Sequence, residues 1–376
     1  MAEPSRLMDA VDARVLTALS RDPVANERSL AVASNLSRAG LAKRLRKLGE
    51  AGVLYPGFAR AQVAYPAVGL EMSLVFAGVP NTERKRFERA CDLHPYTQFR
   101  IRCMGEVQGR SFFTLFAYPS CSRHRMLAYL DALREEGVVD SYWAEVPIAA
   151  PKRQEFDFTF YNQETGRWGV DWGKWEGSIG DQGEELQDLV GSSLHLLDSK
   201  DMKILRLLSM DAREEKSRIA EKAGVRDYEL SRRLAAYRER GVISDYRVIH
   251  AKSISSLAIT VVAFARASVS TTEKICGALG RLPFQGTVYP IEGGMVYLGN
   301  VPSSELANLT RSLEANSDGV EVGLYDYTTS MRYIFDNDPS NYVEGAGWKR
   351  DRGYMVDAPL AALGQPAVPA TTGSGS

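Results

Sequence analysis

Apolar residues recur at helical spacing in two segments of the chain that lie 189 residues apart. In the second segment this spacing predicts three short helices, from Asp201 to Met210, from about Lys216 to Ala223, and from Asp227 to Arg240. Gly224 and Gly241 follow the second and third helices directly, and glycine is the residue that most often ends a helix. The first segment shows the same pattern, with Ser37 placed to cap its third helix.

The two segments align without a gap, residues 9–54 on residues 198–243, with thirteen identical pairs. The identical pairs are Asp9/Asp198, Asp12/Asp201, Leu16/Leu205, Leu19/Leu208, Ser20/Ser209, Asp22/Asp211, Ala31/Ala220, Leu41/Leu230, Arg44/Arg233, Leu45/Leu234, Glu50/Glu239, Gly52/Gly241 and Val53/Val242. Most other apolar positions exchange one aliphatic residue for another. The chain is therefore predicted to contain two copies of one module, which implies internal pseudo-symmetry.

A β-prone stretch follows each three-helix unit and suits either a wing-like hairpin or an extended linker strand. The pattern then changes to strand, helix, two strands, helix and strand. In the first copy these elements are predicted at residues 71–76, 82–93, 97–104, 111–117, 123–136 and 138–146, and in the second at 258–265, 271–282, 287–291, 295–300, 303–315 and 320–327. The predicted fold class is α+β, with two winged helix-turn-helix domains alternating with two ferredoxin-like (βαββαβ) domains.

These patterns divide the chain into six segments. The predicted boundaries are 1–62 and 197–252 for the winged-helix domains, 63–150 and 253–335 for the ferredoxin-like domains, 151–196 for an acidic aromatic linker, and 336–376 for an aromatic and then disordered tail. The glycines of the linker argue against a long regular element, and its tryptophans are expected to pack across the first module. The low-complexity end of the tail, from Ala361 onward, is expected to be disordered.

Charge is unevenly distributed although the formal net charge is only −1. Residues 9–62 carry nine Lys and Arg against five Asp and Glu, residues 198–252 carry fourteen against ten, and residues 151–196 carry four against nine. Both helical units are thus basic. Four cysteines without a C-x-x-C pair do not form a disulfide framework, and no signal sequence or membrane-spanning run is found. The expected location is the cytoplasm.

The third helix of the first copy is amphipathic. Leu41, Leu45 and Leu48 share one face, and the opposite face carries cations. This is the helix-turn-helix arrangement, in which the last helix enters the DNA major groove. A solvated basic face or a protein-contact surface is the alternative, but its recurrence in both copies favours DNA. The candidate DNA-binding residues are Ser37, Arg38, Lys43, Arg44, Arg46, Lys47, Arg226, Tyr228, Arg232 and Arg233. The third helix of the first copy is expected to contribute more to DNA affinity, because the third helix of the second copy carries fewer outward cations.

Residues 197–246 resemble the N-terminal domain of the Lrp/AsnC (feast/famine) transcription regulators. The features that carry the resemblance are the opening L-D-x-x-D-x-x-I-L, a short helix containing I-A, a third helix with R-R-L, and the ending G-V-I-x-x-Y. The resemblance implies a sequence-specific DNA-binding regulator, here as a tandem fusion of two units with both heads in one chain. It also implies double-stranded DNA as a partner, further association of whole chains, and a small-molecule effector of the ferredoxin-like domains.

Amino-acid sensing is less expected than the resemblance alone would suggest. The amino-acid-sensing members of the family typically carry a G-x-x-D turn between the second and third strands of the ferredoxin-like domain. Here the turns read MGEVQGRSFF and IEGGMVYLGN, without that aspartate. No cofactor is expected, apart from one candidate zinc site formed by two C-x-x-H pairs, Cys91 with His94 and Cys121 with His124. The alternative for these residues is ordinary: buried cysteines and loop histidines.

A second resemblance indicates an enzyme as the alternative function. Sirohaem decarboxylases share this two-domain layout as paired halves, and RSFFTLFAYPS resembles their third strand weakly. Their histidine-rich strand has no counterpart in YTQFRIRCMG, where Arg100 and Arg102 are the candidate carboxylate binders. No catalytic residues are assigned, since no set of catalytic groups stands out in the sequence. The expectation from the sequence is that the chain is not an enzyme.

Overall fold

The computed structural model describes residues 8–107, 109–162, 164–165, 167–181, 185–250, 259–332 and 339–365. The predicted boundaries at 252/253 and 335/336 and most of the low-complexity tail lie outside these residues. The division of the chain into six domains therefore stays a prediction.

The elements follow each other in the predicted order. The first winged-helix unit comprises α1 (Ala10–Arg21), α2 (Glu27–Ala33), α3 (Arg38–Glu50) and β1 (Leu54–Val63). The first ferredoxin-like domain comprises β2 (Leu70–Gly78), α4 (Arg84–Leu93), β3 (Thr97–Val107), β4 (Arg110–Pro119), α5 (Arg123–Glu135) and β5 (Ser141–Glu145). The linker contains β6 (Lys152–Gln154), β7 (Tyr161–Asn162), β8 (Arg167–Trp168) and α6 (Trp172–Asp181).

The second half repeats this order. Its winged-helix unit comprises α7 (Ser199–Met210), α8 (Lys216–Ala223), α9 (Asp227–Glu239) and β9 (Ile243–His250). The second ferredoxin-like domain comprises β10 (Ile259–Arg266), α10 (Val269–Leu279), β11 (Gly286–Ile291), β12 (Gly294–Asn300), α11 (Leu306–Ala315) and β13 (Gly319–Arg332). The tail contains β14 (Tyr342–Val343), β15 (Gly347–Trp348) and α12 (Ala358–Leu363). The predicted α+β fold class is confirmed.

The strand after each three-helix unit is an extended strand and not a wing-like hairpin. β1 and β9 pair antiparallel with each other, so that the two copies are joined in a two-stranded ribbon. Arg60 lies opposite Arg247 in this ribbon. The hairpin alternative fails because each strand takes its hydrogen-bond partner from the other copy, which a pattern within one copy cannot reveal.

The two ferredoxin-like domains build one nine-stranded sheet in the order β5-β2-β4-β3-β13-β10-β12-β11-β6. The edge strand β3 of the first domain pairs with β13 of the second, and the linker strand β6 covers the far edge at β11. Side chains such as Phe113 and Ile101 from the first domain pack with Tyr289 and Val296 from the second in a shared apolar cluster. The sheet faces are thus buried against each other inside one chain.

Each winged-helix unit shares an apolar core with the ferredoxin-like domain of the other half. Leu16 and Leu41 of the first winged-helix unit belong to the same core as Phe284 of the second ferredoxin-like domain. Leu205 and Leu230 of the second winged-helix unit share a core with Tyr129 of the first ferredoxin-like domain. Each half of the chain therefore completes its apolar core with residues from the other half.

The linker and the tail both differ from their predictions. α6 is a ten-residue helix despite its glycines. It forms because Trp175 is buried against α10, where its indole nitrogen donates to the Ala278 carbonyl at 2.8 Å. The linker thus packs on α1 of the first winged-helix unit and on the second ferredoxin-like domain. In the tail α12 continues to Leu363, which is buried near α4, so residues 361–363 are ordered as a helix.

Candidate nucleic-acid interface

The candidate recognition helix is α3, and its sequence explains how it is held. Ser37 caps the helix, accepting a hydrogen bond from the Gly40 amide at 3.1 Å, as predicted. Leu41 and Leu48 are buried on the inner face. Gly52 follows the helix with a φ of +67°, a conformation that glycine adopts at low cost. The helix is therefore fixed from within and presents its opposite face to solvent.

Two of the predicted DNA-binding cations are bound within the domain. Arg44 donates to Asp12 at 3.0 Å and to Asp9, and Lys47 donates to Asp12 at 2.6 Å. Asp12 is fully buried at the start of α1. Desolvation by itself would raise the pKa of Asp9, but the hydrogen bond from Arg44 and the nearby cations lower it to about 2. Arg44 and Lys47 thus hold α3 against α1 in this structure.

Three cations of α3 stay on the outer surface. The side chains of Arg38, Lys43 and Arg46 are exposed, and none of them forms an ion pair with another described residue. Because they are exposed on one helix, they form a positive surface suited to phosphate. We call Arg38, Lys43 and Arg46 the outer cations of α3.

The second unit repeats the internal ion pair and has a weaker outer surface. Arg233 donates to Asp198, Asp201 and Glu229, which leaves its side chain 16% exposed. On the outside Tyr228 is 65% exposed, with the guanidinium of Arg226 over its ring at 6.0 Å. Arg232 is also exposed. The structure therefore agrees with a less cationic second face, although the DNA contacts themselves stay predictions.

The sequence pattern did not predict that Arg44 and Arg233 form ion pairs with aspartates of the same unit. Their signal was present in the alignment, because Asp9, Asp12 and Arg44 are identical in both copies at unchanged spacing. In each copy the residues meet between the first and third helices. Identity between the copies therefore marked a structural contact between the first and third helices.

The four residues of the candidate zinc site are not brought together. Cys91 and His94 are buried in the core of the first ferredoxin-like domain, whereas Cys121 and His124 are exposed. Burial raises the pKa of the Cys91 thiol to about 12 and lowers the pKa of His94 to about 3. Within the described ranges no group of three or more His, Cys, Asp or Glu side chains is arranged to hold a metal ion.

One predicted carboxylate binder is already occupied. Arg100 donates to both oxygens of Asp92, at 2.8 and 3.2 Å, and its side chain is buried. Arg102 is partly buried on the same strand, where its amide donates to Thr329 at 3.2 Å. The Arg100 guanidinium is therefore neutralised by the protein itself.

Among the described residues no helix combines the length and apolarity needed to cross a membrane.

Comparison with known families identifies the first helical unit. Residues 8–55 match the family described as winged helix-turn-helix DNA-binding. The first helical unit is therefore similar to the winged helix-turn-helix domains of that family. No curated protein matches the chain.

Among solved structures, the sirohaem decarboxylase NirDL matches 94% of this chain and 100% of its own with a TM-score of 0.51 at 13% identity. Shorter matches include LrpC of B. subtilis, which covers 38% of this chain and 96% of its own at 18% identity with a TM-score of 0.31. A second is an AsnC family regulator of Agrobacterium tumefaciens, with 38% and 92% coverage, 18% identity and a TM-score of 0.32.

The expectation that the chain is not an enzyme is contradicted by these comparisons. A solved structure that matches nearly the whole chain is that of an enzyme. At 13% identity the likeness shows a shared fold, and that fold carries catalysis in at least one protein. The absence of a recognisable catalytic set in the sequence was therefore not a sufficient reason to exclude an enzyme.

Proposed function

We propose that the chain is a sequence-specific DNA-binding transcription regulator, built as two fused units of the Lrp/AsnC type. The observation that carries the proposal is the set of outer cations of α3, exposed on a capped helix inside the residues that match a DNA-binding family. Lys and Arg in such a position neutralise DNA phosphates and read base edges in the major groove. Within this proposal α3 supplies most of the affinity and α9 extends the contact.

The pairing of β1 with β9 supports the proposal that one chain works as an internal pseudo-dimer. Helix-turn-helix regulators use two heads because their operators contain two half-sites. Here both heads are joined through the same ribbon, and their outer faces differ in charge. We therefore expect an operator with two unequal half-sites.

The test measures binding of the full chain to sheared genomic DNA by fluorescence anisotropy over a range of salt concentrations. Lys43→Ala combined with Arg46→Ala should weaken binding at least about tenfold and reduce the slope of log K against log salt by up to about 2. The matched control, Lys85→Ala with Arg311→Ala, also removes one lysine and one arginine, here from exposed positions on helices of the ferredoxin-like domains. It should bind DNA like the parent. No binding at low salt, or equal binding by the two double variants, would contradict the proposal.

We also propose that whole chains associate further, as the family resemblance implies. The sheet faces that could mediate such pairing are buried within each chain, so the contact would use another surface. Light scattering of the purified protein tests this directly. A mass that is a multiple of the single chain supports association, and the mass of one chain contradicts it.

A second candidate function is decarboxylation of a tetrapyrrole carrying carboxylates. The observation that favours it is the shared fold with NirDL, which covers 94% of this chain. Incubation with sirohaem under anaerobic conditions, followed by mass spectrometry of the tetrapyrrole, tests this function. A product that has lost carbon dioxide supports it, and unchanged sirohaem contradicts it.

A further inference from the structure

Arginines surround a cavity beneath the β1/β9 ribbon, between the ribbon and the nine-stranded sheet. The cavity has a volume of about 100 Å³, and its lining includes Arg60, Arg153, Arg247 and Arg332. No Asp or Glu is among its described lining residues. We call this space the arginine chamber.

The charges of these arginines are only partly balanced. Arg247 is buried and ion-paired with Glu155, whose other oxygen accepts from Gln285 at 2.6 Å. Arg153 is partly buried, and its guanidinium donates to the Ser244 hydroxyl at 2.7 Å. Neither Arg153 nor Arg332 has a carboxylate partner among the described residues. Arg332 is exposed, whereas the guanidinium of Arg153 is partly withdrawn from water. A partly buried guanidinium without a counter-ion is costly, so the site favours an anion at Arg153.

The electrostatics agree with this assignment. Burial, together with the charge of Arg247, lowers the pKa of Arg153. Arg332 lies over the ring of Phe99 at 5.6 Å, which places a second cation at the same cavity. An anion beside Arg153 would offset the repulsion between Arg153 and Arg247 and accept hydrogen bonds from the guanidinium groups.

An apolar chamber adjoins the arginine chamber and shares four of its lining residues, Val63, Tyr65, Met72 and Arg153. Its volume is about 270 Å³. Other parts of its wall are formed by Leu70, Val146, Leu189 and Val190. Leu189 and Val190 are 40% and 37% exposed, so the chamber opens to solvent at the linker. The guanidinium of Arg153 therefore stands at the junction of a cationic space and an apolar space.

We propose that this pair of chambers binds a carboxylate with a short hydrocarbon chain, the carboxylate on Arg153 and its neighbours and the chain in the apolar chamber. A volume of 270 Å³ equals that of roughly nine water molecules in the liquid, which is enough to hold a short hydrocarbon chain. Transfer of the hydrocarbon chain out of water favours binding, and the charged head orients the ligand in the site. This site goes beyond the proposed DNA contacts and does not depend on them.

The experiment uses octanoate as the probe and calorimetry on the full chain in the absence of DNA. Saturable binding of octanoate, with no binding of octanol and much weaker binding of inorganic phosphate, supports a site that needs both the charge and the chain. Equal binding of octanol would overturn the role of the arginines. Equal binding of phosphate would overturn the role of the apolar chamber, and no binding of octanoate would overturn the site.

Variants of Arg153 locate the site. Arg153→Gln should weaken octanoate binding about tenfold or more, because a hydrogen bond to a charged group is lost, and Arg153→Lys should restore part of it. Arg311→Gln, which removes an exposed arginine elsewhere, should bind like the parent. At the same concentration, octanoate should raise the Tm of the parent more than that of Arg153→Gln. Unchanged affinity in Arg153→Gln would refute the assignment.

Folding of the variant is checked by the same thermal measurement. Removing a partly buried cation that lacks a carboxylate partner should leave the ligand-free Tm of Arg153→Gln equal to or above that of the parent. Because binding is measured without DNA, its failure would leave the proposed DNA-binding function intact. Failure of DNA binding would likewise leave the octanoate result intact.

Discussion

Arg44 on α3 donates to the buried carboxylate of Asp12 on α1 at 3.0 Å, and Arg233 and Asp201 form the same contact in the second unit. This bond joins the first and third helices of each winged-helix unit. It explains why an arginine on a cationic helix is identical in both copies while its outward neighbours differ. The shared arginine is needed to orient the helix, and the outward residues are free to define the surface.

Replacing Arg44 by Met should lower stability because Asp12 would lose one partner while staying buried. The expected loss is about 1–3 kcal/mol in the free energy of unfolding, since Lys47 still donates to the same carboxylate. Urea denaturation followed by circular dichroism measures it. Lys43→Met, on the exposed side of the same helix, should change stability by no more than about 0.5 kcal/mol. An equal effect of both changes would argue against the role of the ion pair.

The two heads should contribute unequally to DNA affinity. Arg232→Ala in the second head should weaken binding less than Arg46→Ala in the first, because the neighbours of Arg232 on the outer face are mostly uncharged or aromatic. Anisotropy titrations on a selected fragment at fixed salt compare the two variants directly. A larger loss for Arg232→Ala would reverse the assigned order of the heads.

The aromatic linker should be essential for stability. Trp175→Ala removes a buried ring that packs α6 on α10 and donates to the Ala278 carbonyl, and should cost about 3–5 kcal/mol. Phe160→Ala, which truncates a ring on the same linker that is 42% exposed, serves as the comparison and should cost much less. Thermal unfolding of both variants measures the difference. Similar Tm values for the two would show that the linker does not complete the core.

Stability should fall as the pH drops below about 6.5. Burial lowers the pKa of His94 and of His250 to about 3, while both histidines regain their ordinary value of 6.5 on unfolding. Between these values the unfolded state binds more protons, so each histidine contributes stability above pH 6.5 that is lost toward pH 3. The slope is about 1.4 kcal/mol per pH unit for each histidine.

Denaturation midpoints between pH 7.5 and 5 test this dependence. His94→Phe keeps a ring against Tyr129 and Phe116 and should reduce the slope by about half. Glu155, whose pKa is raised by burial, acts in the opposite direction, but its contribution cancels when parent and variant are compared. His195→Phe, which replaces an exposed histidine by the same residue, is the matched control. An unchanged slope in His94→Phe would exclude its burial as the cause.

The sequence by itself determined the local elements and their order. Helices α7, α8 and α9 begin and end within two residues of their predicted positions, because leucine spacing, an aspartate cap and a terminal glycine act within a few residues of each other. The α+β class followed from the same short-range patterns. The exposed position of Lys43 and Arg46 followed from the helical projection, since the leucines fix which side is inside.

Tertiary structure alone decided which distant residues meet. The pairing of β1 with β9, the crosswise cores and the helix through the linker glycines depend on partners more than 90 residues away, which no local pattern encodes. The same holds for the contact of Arg44 with Asp12, which joins α3 to α1 and was not predicted from the sequence, while its DNA contact stays a prediction. Arg60 and Arg247 likewise line one cavity because strand pairing sets them opposite each other. Burial and charge balance are properties of these assembled neighbourhoods, and they appear only when the chain is folded.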